Sequence, residues 1–241
     1  MIEIHPDLEA VSRAAAQAFA DASRKALDES ARFSVALAGG TTPRRTYELL
    51  AMPPYRTAVD WARVDVFWGD ERCVAPTDPR SNERMARAAL LDHVPLRPDR
   101  IRPMRCDGDP DAAAARYEGL LHEYFGDWPR FDLVLLGLGD DGHTASLLPG
   151  TEASLAKDRW AVAVHGRDVD RVTLTLPVLN AAKLVLFLVC GASKAQALRA
   201  ALEGDRTIPA GAIAPKGGEI LWLVDRDAAA ALSGAGATAS P

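Results

Sequence analysis

The sequence predicts an α/β fold, with a mostly parallel sheet and helices on both of its faces. Two observations support this prediction: short apolar runs alternate with helical segments along the chain, and polar residues directly follow several of the apolar runs. Strands that alternate with helices form parallel sheets, because each helix crosses over the sheet between two strands. Such sheets bind ligands beyond the carboxyl ends of their strands, so we expect the polar residues to share one cleft.

The helices are predicted from composition and from residues that favour helix ends. Residues 7–29 are rich in Ala with few helix breakers, and Pro43 suits the first turn of a second helix. Ser81 or Asn82 caps a third helix, and Asp109 begins a fourth. Two further helices are expected in HTASLLPG, a short one that Pro149 ends, and in ASKAQALRAALEG, which Gly204 ends.

The strands are predicted from short runs of apolar or alternating residues. In chain order they lie in RFSVALAGG, VDVFWGDER, FDLVLLGLG, RWAVAVH, RVTLTLP, AKLVLFLVCG and GEILWLVD. AKLVLFLVCG is the most continuous apolar run, which is typical of a central strand covered on both faces. The stretch 92–110 is rich in Pro, Arg and Asp and is expected to be irregular.

Length and composition indicate an ordinary globular protein. The 241 residues are 48% hydrophobic and 25% charged, and we expect one catalytic domain over 1–232 with a flexible tail over 233–241. The net charge of −5 argues against nucleic-acid or anionic-membrane partners. No apolar run approaches the roughly 18 residues needed to cross a bilayer, and the N-terminus lacks the pattern of a secretory signal.

Three cysteines, Cys73, Cys106 and Cys190, are far apart in the sequence and form no CxxC pair. An odd, scattered set fits reduced thiols better than a disulfide or zinc framework. We therefore expect a cytoplasmic protein whose cysteines are reduced.

The first polar cluster, LAGGTTP, follows the first of these strands. Gly39 and Gly40 permit a sharp turn, Thr41 and Thr42 supply hydroxyls, and the N–H groups of the next helix favour an anion. The stretch has neither the GxxxxGK[ST] nor the GxGxxG pattern. It fits a phosphate or sugar-hydroxyl site, and it also fits a tight turn with a threonine cap.

The second cluster consists of Asp70, Glu71 and Arg72, directly after a strand. Arg72 is suited to stabilise a developing oxyanion, and either carboxylate is suited to orient its neighbours. A plain surface loop is the alternative interpretation.

The third cluster is GLGDDGH, which ends at His143. Gly139 and Gly142 permit unusual backbone conformations, and Asp140 or Asp141 is placed to cap the short helix expected next. Imidazole titrates near neutrality and transfers protons in either direction, and Asp141 is placed to fix its tautomer. The alternative is that Asp141 only caps the helix and His143 is simply exposed.

Two other chemistries fit this cluster poorly. The histidines show no HxH or HExxH spacing, so no metal site is expected. A serine hydrolase needs a GxSxG turn, which is absent, and Ser146 is interpreted as a structural residue on the short helix. What is left is an enzyme that activates water or moves protons without a covalent nucleophile.

The fourth cluster is cationic. Arg171 opens a strand, and Lys194 lies near a helix N-terminus, where a lysine is a suitable partner for phosphate. An exposed lysine on a first helical turn is the alternative. PAGAIAP, residues 209–215, is either a rigid loop at the same rim or a plain connector.

Five stretches of the chain, in their order, resemble those of the 6-phosphogluconolactonase family. They are LAGGTTP, WGDERCVAPTDPRSN, FDLVLLGLGDDGHTASLLPG, RVTLTLPVLNAAKLVLFLVCGASKAQAL and PAGAIAP. The resemblance covers nearly the whole chain, and the segment around His143 is highly specific. Leu148 stands where the family usually has phenylalanine, and Thr41 where it often has serine.

This resemblance implies a Rossmann-like sheet of the glucosamine-6-phosphate deaminase-like fold. It also implies hydrolysis of 6-phospho-D-glucono-1,5-lactone by water in the oxidative pentose phosphate pathway, with no metal or organic cofactor. His143 would take a proton from water and return it to the ring oxygen, Asp141 would orient His143, and Arg72 would hold the substrate or the oxyanion. We expect a small sugar-phosphate lactone as the partner, and a monomer or weak dimer. The candidate substrate-binding residues are Gly39, Gly40, Thr41, Thr42, Asp70, Glu71, Asn82, Gly139, Gly142, Arg171 and Lys194.

Two alternative functions are weighed against this one. Glucosamine-6-phosphate deaminases typically carry DEY and DGHIAFNEP, whereas this chain has Arg72 in place of the tyrosine and HTASLLP after the glycine. A non-catalytic sugar-phosphate sensor in a transcription regulator needs a helix-turn-helix, and no basic module of that kind is expected here. The residue pattern favours the lactonase.

Overall fold

The computed structural model describes residues 1–106 and 108–232. In this part of the chain the strands are β1 Ile2–His5, β2 Phe33–Leu37, β3 Val64–Trp68, β4 Asp70–Arg72, β5 Leu133–Leu136, β6 Ala161–Val164, β7 Arg171–Leu174, β8 Leu184–Val189 and β9 Glu219–Asp225. The α-helices are α1 Leu8–Glu29, α2 Thr41–Leu50, α3 Tyr55–Ala58, α4 Asn82–Ala86, α5 Pro110–Phe125, α6 Glu152–Leu155, α7 Leu176–Leu179 and α8 Ala195–Leu202. A π-helical turn, Arg87–Leu91, continues α4.

Six strands form the main sheet in the order β1-β9-β8-β5-β2-β3, and every neighbouring pair is parallel. This arrangement confirms the predicted fold class. The most apolar strand, β8, lies inside the sheet between β9 and β5, as its sequence predicted. The chain passes from β2 outward to β3 and then returns to β5 on the other side of β2. The strand order therefore switches between β2 and β5, and such a switch leaves a crevice beyond the carboxyl ends of the two strands.

A second, antiparallel sheet has the order β4-β7-β6. The sequence predicted one strand through VDVFWGDER, and this was wrong because the chain changes sheets at Gly69. The N–H of Gly69 donates to Leu37 in β2 at 2.9 Å, and its carbonyl accepts from the N–H of Leu174 in β7 at 2.8 Å. One residue, Gly69, thus joins the two sheets and directs Asp70 and the residues after it away from β3.

The helix starts expected from capping residues are confirmed. Ser81 and Asp109 are the N-caps of α4 and α5, and each side chain accepts a backbone N–H from the first turn. Asp7 caps α1 in the same way, although only the composition of residues 7–29 predicted that helix. Gly204 follows α8 with a φ of 81°, a left-handed conformation that favours glycine. These caps are local interactions between residues close in sequence, which is why the sequence alone indicates them.

The short helix expected in HTASLLPG is absent, and that prediction was wrong. Gly142 and Ala145 have φ angles of 83° and 49°, and right-handed helices need negative values. Residues 143–150 instead form successive turns, with an isolated bridge between Thr144 and Leu147. Neither Asp140 nor Asp141 therefore caps a helix here.

A disulfide joins Cys73 to Cys106, so the expectation of three reduced thiols was also wrong. Their Cα atoms are 4.8 Å apart although the residues are 33 positions apart in sequence. The two segments meet because Ile101 bridges Val66 of β3 and so guides the following residues towards the end of β4. Sequence spacing carries no information on this distance, and Cys190 is the free thiol of the described chain.

No helix in residues 1–106 and 108–232 is both long enough and apolar enough to cross a membrane. The flexible tail expected over 233–241 lies outside the described residues.

A buried carboxylate ties β3 to the segment that precedes Cys106. Asp65 is 1% exposed and accepts hydrogen bonds from the guanidinium groups of Arg100 at 2.9 Å and Arg102 at 2.6 Å. The hydroxyl of Tyr124 in α5 donates to the same carboxylate at 3.0 Å. These contacts fix the residues on either side of Ile101 against the sheet edge.

We expect Asp65→Asn to lower the free energy of unfolding by about 3 kcal/mol, because it leaves two half-buried guanidinium groups without their anion. Urea denaturation followed by circular dichroism measures the change. Asp99→Asn is the matched control, since Asp99 also forms a two-point pair with an arginine, Arg97, but is exposed. Equal effects of the two substitutions would contradict the structural importance of the buried pair.

Candidate active site

A cavity of about 230 Å³ opens beyond the carboxyl ends of the central strands, at the crevice between β2 and β5. Three of the residues that the sequence singled out do not line it: Asp141, Glu71 and Gly142. The other predicted site residues do, and they come from six separate segments of the chain. They are Gly39, Gly40, Thr41, Thr42, Asp70, Arg72, Asn82, Gly139, His143, Arg171 and Lys194.

The loop after β2 contributes a glycine turn and the start of α2. Gly40 is the N-cap of α2 with a φ of 104°, and no side-chain hydrogen bond caps the helix. The threonine-cap interpretation is therefore wrong. A side chain at Gly39 would overlap the amide of Asn82, so only glycine fits there. The first turn of α2, with Thr41 and Thr42, is left facing the cavity without a capping side chain.

Glu71 is turned away from the cavity and organises the start of α4. Its buried carboxylate accepts from the N–H groups of Arg72, Asn82 and Glu83 at 2.7–2.8 Å and from the Ser81 hydroxyl at 3.0 Å. Burial raises the pKa of Glu71, although all four donors favour the ionised form. Glu71 thus positions its neighbours and does not itself line the cavity.

Asp70 connects two of the loops that form the cavity. It is 7% exposed and accepts from the hydroxyl of Ser146 at 2.6 Å and from the amide of Asn82 at 3.3 Å. Asn82 also donates to the Asp70 carbonyl at 2.9 Å. Ser146 is therefore structural, as predicted, but it acts through a residue 76 positions away and not through a helix.

Two arginines lie side by side on neighbouring strands of the small antiparallel sheet, at the cavity. Arg72 of β4 and Arg171 of β7 are directly paired in register, and like charges in this position repel. Arg72 donates from Nη1 to the Arg80 carbonyl at 2.6 Å, while its buried Nε has no partner among the described residues. The Arg171 side chain forms no ion pair or hydrogen bond in the described chain. The pair produces a local positive charge suited to an anion.

Asp141 holds His143 through two contacts with one carboxylate oxygen. The imidazole Nδ1 is 2.6 Å from Asp141 Oδ1, which also accepts the His143 backbone N–H at 3.1 Å. Burial acts to raise the pKa of Asp141, but the two hydrogen bonds from His143 lower it below its ordinary value. With its proton on Nδ1, the ring leaves Nε2 as the acceptor. A side chain at Gly139 would overlap the imidazole, so glycine is required there.

Gly142 and residues 208–212 support the His143 loop from outside the cavity. A Cβ atom at Gly142 would lie 2.7 Å from the Cβ of Ile208, and the Gly142 carbonyl accepts from the N–H of Ala210 at 3.1 Å. The PAGAIAP stretch forms a 3-10 turn, Pro209–Ala212, against this loop. It supports the loop and does not line the cavity.

Lys194 lines the cavity but is not free. Its ammonium group forms an ion pair with Asp140, and the hydroxyl of Ser193 donates to the same carboxylate at 3.1 Å. The ammonium group, followed by the hydroxyl, lowers the pKa of Asp140. Sequence reasoning considered Asp140 only as a helix cap, because its partner is 54 positions away.

Cys190 is a cavity residue that sequence reasoning missed, at the end of the central strand β8. Burial, together with the Asp225 carboxylate, raises the pKa of Cys190 to about 12. The thiol is therefore neutral at physiological pH. Its position directly after the most apolar strand is the sequence feature that could have predicted it as a cavity residue.

Known proteins resemble this chain over nearly its full length. The family model for glucosamine-6-phosphate isomerases and 6-phosphogluconolactonase matches residues 6–222. The chain belongs to this family.

Relatives within the family are similar in both sequence and structure. A 6-phosphogluconolactonase of Synechocystis is 46% identical over 212 residues, covering 85% of this chain and 86% of the relative. A crystal structure of 6-phosphogluconolactonase from Leishmania guyanensis has a TM-score of 0.86 and 28% identity, covering 97% and 98% of the two chains. A monomeric glucosamine-6-phosphate deaminase has a TM-score of 0.80 and 26% identity, covering 95% and 99%. The expected deaminase-like fold is thus confirmed.

We expect Cys190 of the native protein to react with iodoacetamide at pH 8 at least about tenfold more slowly than in the unfolded chain, because only the thiolate reacts. Mass spectrometry of timed, quenched samples with and without urea measures both rates. The pKa of about 12 also predicts that raising the pH from 8 to 9.5 increases the native rate. A native rate equal to the unfolded rate would contradict the burial of this thiol.

Proposed function

We propose that this protein hydrolyses 6-phospho-D-glucono-1,5-lactone to 6-phosphogluconate, the lactonase step of the oxidative pentose phosphate pathway. The observation that carries the proposal is the His143–Asp141 pair at 2.6 Å, in one cavity with two arginines that lack a complete set of partners. A proton acceptor beside a positive charge suits water attack on a carbonyl that becomes an oxyanion. The names of the family's relatives support the same activity.

In the proposed reaction, His143 Nε2 accepts a proton from a water molecule whose oxygen attacks the lactone carbonyl. The resulting oxyanion is stabilised by the positive charge of Arg72, which lines the cavity. The C–O bond to the ring oxygen then breaks, and the imidazolium returns its proton to that oxygen. Asp141 stabilises the imidazolium between these steps, and its lowered pKa keeps it ionised. No residue becomes covalently attached to the substrate.

The phosphate of the substrate is proposed to bind at the cationic side of the cavity. Lys194 and Arg171 supply charge, and the first turn of α2 supplies N–H groups and the hydroxyls of Thr41 and Thr42. Because Asp140 already forms an ion pair with Lys194, a bound phosphate competes with this carboxylate for the ammonium group.

A deaminase is the weaker alternative. The structural similarity to a glucosamine-6-phosphate deaminase reflects the shared fold. The deaminase segment HIAFNEP has a glutamate five residues after its histidine, whereas this chain has Leu148 at that position. Release of ammonia from glucosamine 6-phosphate would favour the deaminase.

We also propose a cytoplasmic location and a monomer or weak dimer that has neither nucleic-acid nor membrane partners. The phosphorylated substrate supports the location, because its charge prevents passive passage through a bilayer. The net charge of −5 argues against nucleic acid as a partner.

We expect His143→Asn to lower kcat by about 10²–10⁴-fold, the usual contribution of a general acid–base group. The assay follows proton release from fresh lactone in weak buffer and subtracts spontaneous hydrolysis. His93→Asn, at an exposed histidine outside the cavity, is the matched control and should retain full activity. Near-normal turnover of the His143 variant would exclude it from proton transfer.

We expect Lys194→Ala to raise KM by about tenfold with a smaller loss in kcat, because it removes a charge that holds the phosphate. Asp140→Asn should have the opposite effect and lower KM by roughly two- to fivefold, because the carboxylate no longer competes for the ammonium group. Steady-state kinetics of both variants test the pair. An unchanged KM in Lys194→Ala would remove this lysine from phosphate binding.

A further inference from the structure

The Cys73–Cys106 disulfide lies next to the candidate active site. Cys73 follows Arg72 at the end of β4, and both cysteines line a surface cavity of about 430 Å³. Arg72 lines this cavity as well as the candidate active site. Both cysteines are half-buried, and Arg105 beside Cys106 is exposed, so a small thiol can approach the bond.

The bond fastens the loop that holds Arg72. The Arg72 guanidinium donates to the Arg80 carbonyl, and Arg80 belongs to the loop that Cys73 begins. On the other side of the bond, Arg105 forms an ion pair with Glu83 of α4 through two hydrogen bonds of 3.3 Å. The Cys73–Cys106 bond is the covalent connection between the Arg72 loop and the segment before α5, and the ion pair is a weaker second connection.

The same strand end is also fixed to the second arginine. The N–H of Cys73 donates to the Asp170 carbonyl at 2.7 Å, one residue before Arg171. Movement of Cys73 therefore changes the position of Arg72 relative to Arg171. Catalytic groups displaced by about 1 Å can lose as much as 10²-fold in rate.

We propose that Cys73–Cys106 is a thiol–disulfide exchange site for a dithiol reductant, and that its reduction releases the Arg72 loop and slows catalysis. The effect on catalysis rests on the function proposed above. Disulfides in a reducing cytoplasm are uncommon, and those that occur are usually transient and redox-sensing. The Cys73–Cys106 bond is half-buried, lines a surface cavity and lies next to Arg72 of the candidate active site. These features fit a redox-sensing disulfide.

The exchange transfers two electrons and two protons. A thiolate of the reductant attacks one sulfur, the Cys73–Cys106 bond breaks, and the other cysteine leaves as a thiolate. The second thiol of the reductant then attacks the mixed disulfide and releases the remaining cysteine as a thiolate. The products are two cysteine thiols and an oxidised reductant, and an oxidised dithiol reverses the reaction.

Thiol counting tests the site independently of activity, with dithiothreitol as the probe. The full chain, purified without reductant and unfolded in guanidinium, should show one thiol, Cys190. After native treatment with dithiothreitol and its removal, it should show three. Three thiols before treatment, or a bond that is reduced only after unfolding, would overturn the proposal.

Activity then tests the consequence, at a temperature well below the melting temperature of the reduced protein. We expect reduction to lower kcat/KM by about three- to tenfold, and reoxidation to restore it. Cys73→Ser and Cys106→Ser should each match the reduced enzyme and no longer respond to dithiothreitol. Arg72→Ala should be slower but no longer respond, because the residue that transmits the effect is missing.

The outcomes separate this inference from the proposed function. An oxidised enzyme that hydrolyses the lactone equally well after complete reduction overturns the inference and leaves the lactonase intact. A protein with no lactonase activity in either state, but with the expected thiol counts, contradicts the proposed function alone and keeps the exchange site. A melting temperature that falls on reduction while kcat/KM stays constant assigns the bond a purely structural role and overturns the link to Arg72.

Discussion

Two adjacent buried carboxylates determine the shape of the candidate active site. Asp70 accepts a hydrogen bond from the hydroxyl of Ser146, in the loop after β5. Glu71 accepts hydrogen bonds from the first N–H groups of α4. Asn82 belongs to both networks through its side chain and its backbone. The cavity walls are therefore joined through one dipeptide. The satisfied donors offset the cost of burying two charges, and the arrangement depends on all of them being present.

The sheet explains why residues so far apart in sequence meet in this place. The strand order switches between β2 and β5, and the chain leaves the main sheet at Gly69, so the small sheet lies over the same crevice. That change of sheets brings Arg72 and Arg171 opposite each other. The protein is acidic as a whole, and this pair provides a local field of the opposite sign where an anionic substrate is proposed to bind.

Sequence patterns predicted the features that depend on neighbouring residues. The caps at Ser81 and Asp109 and the burial of β8 are of this kind, since local hydrogen bonds and apolar runs determine them. The patterns failed where distant segments meet. The Cys73–Cys106 bond and the partner of Asp140 depend on the path of the chain through space. The prediction of a helix after His143 was wrong because Ala145 has a positive φ angle, and composition does not indicate such a backbone conformation.

The Asp140–Lys194 pair means that the cationic side of the cavity carries its own counter-ion. A lysine without a partner attracts anions from the solvent, and a ligand has to displace them, which makes binding sensitive to ionic strength. In the proposed binding mode, a phosphate competes with a carboxylate that belongs to the protein, Asp140. Fewer anions from solution then have to leave Lys194 than would leave an unpaired lysine. This part of the proposed affinity is therefore less sensitive to salt concentration than it would be at an unpaired lysine.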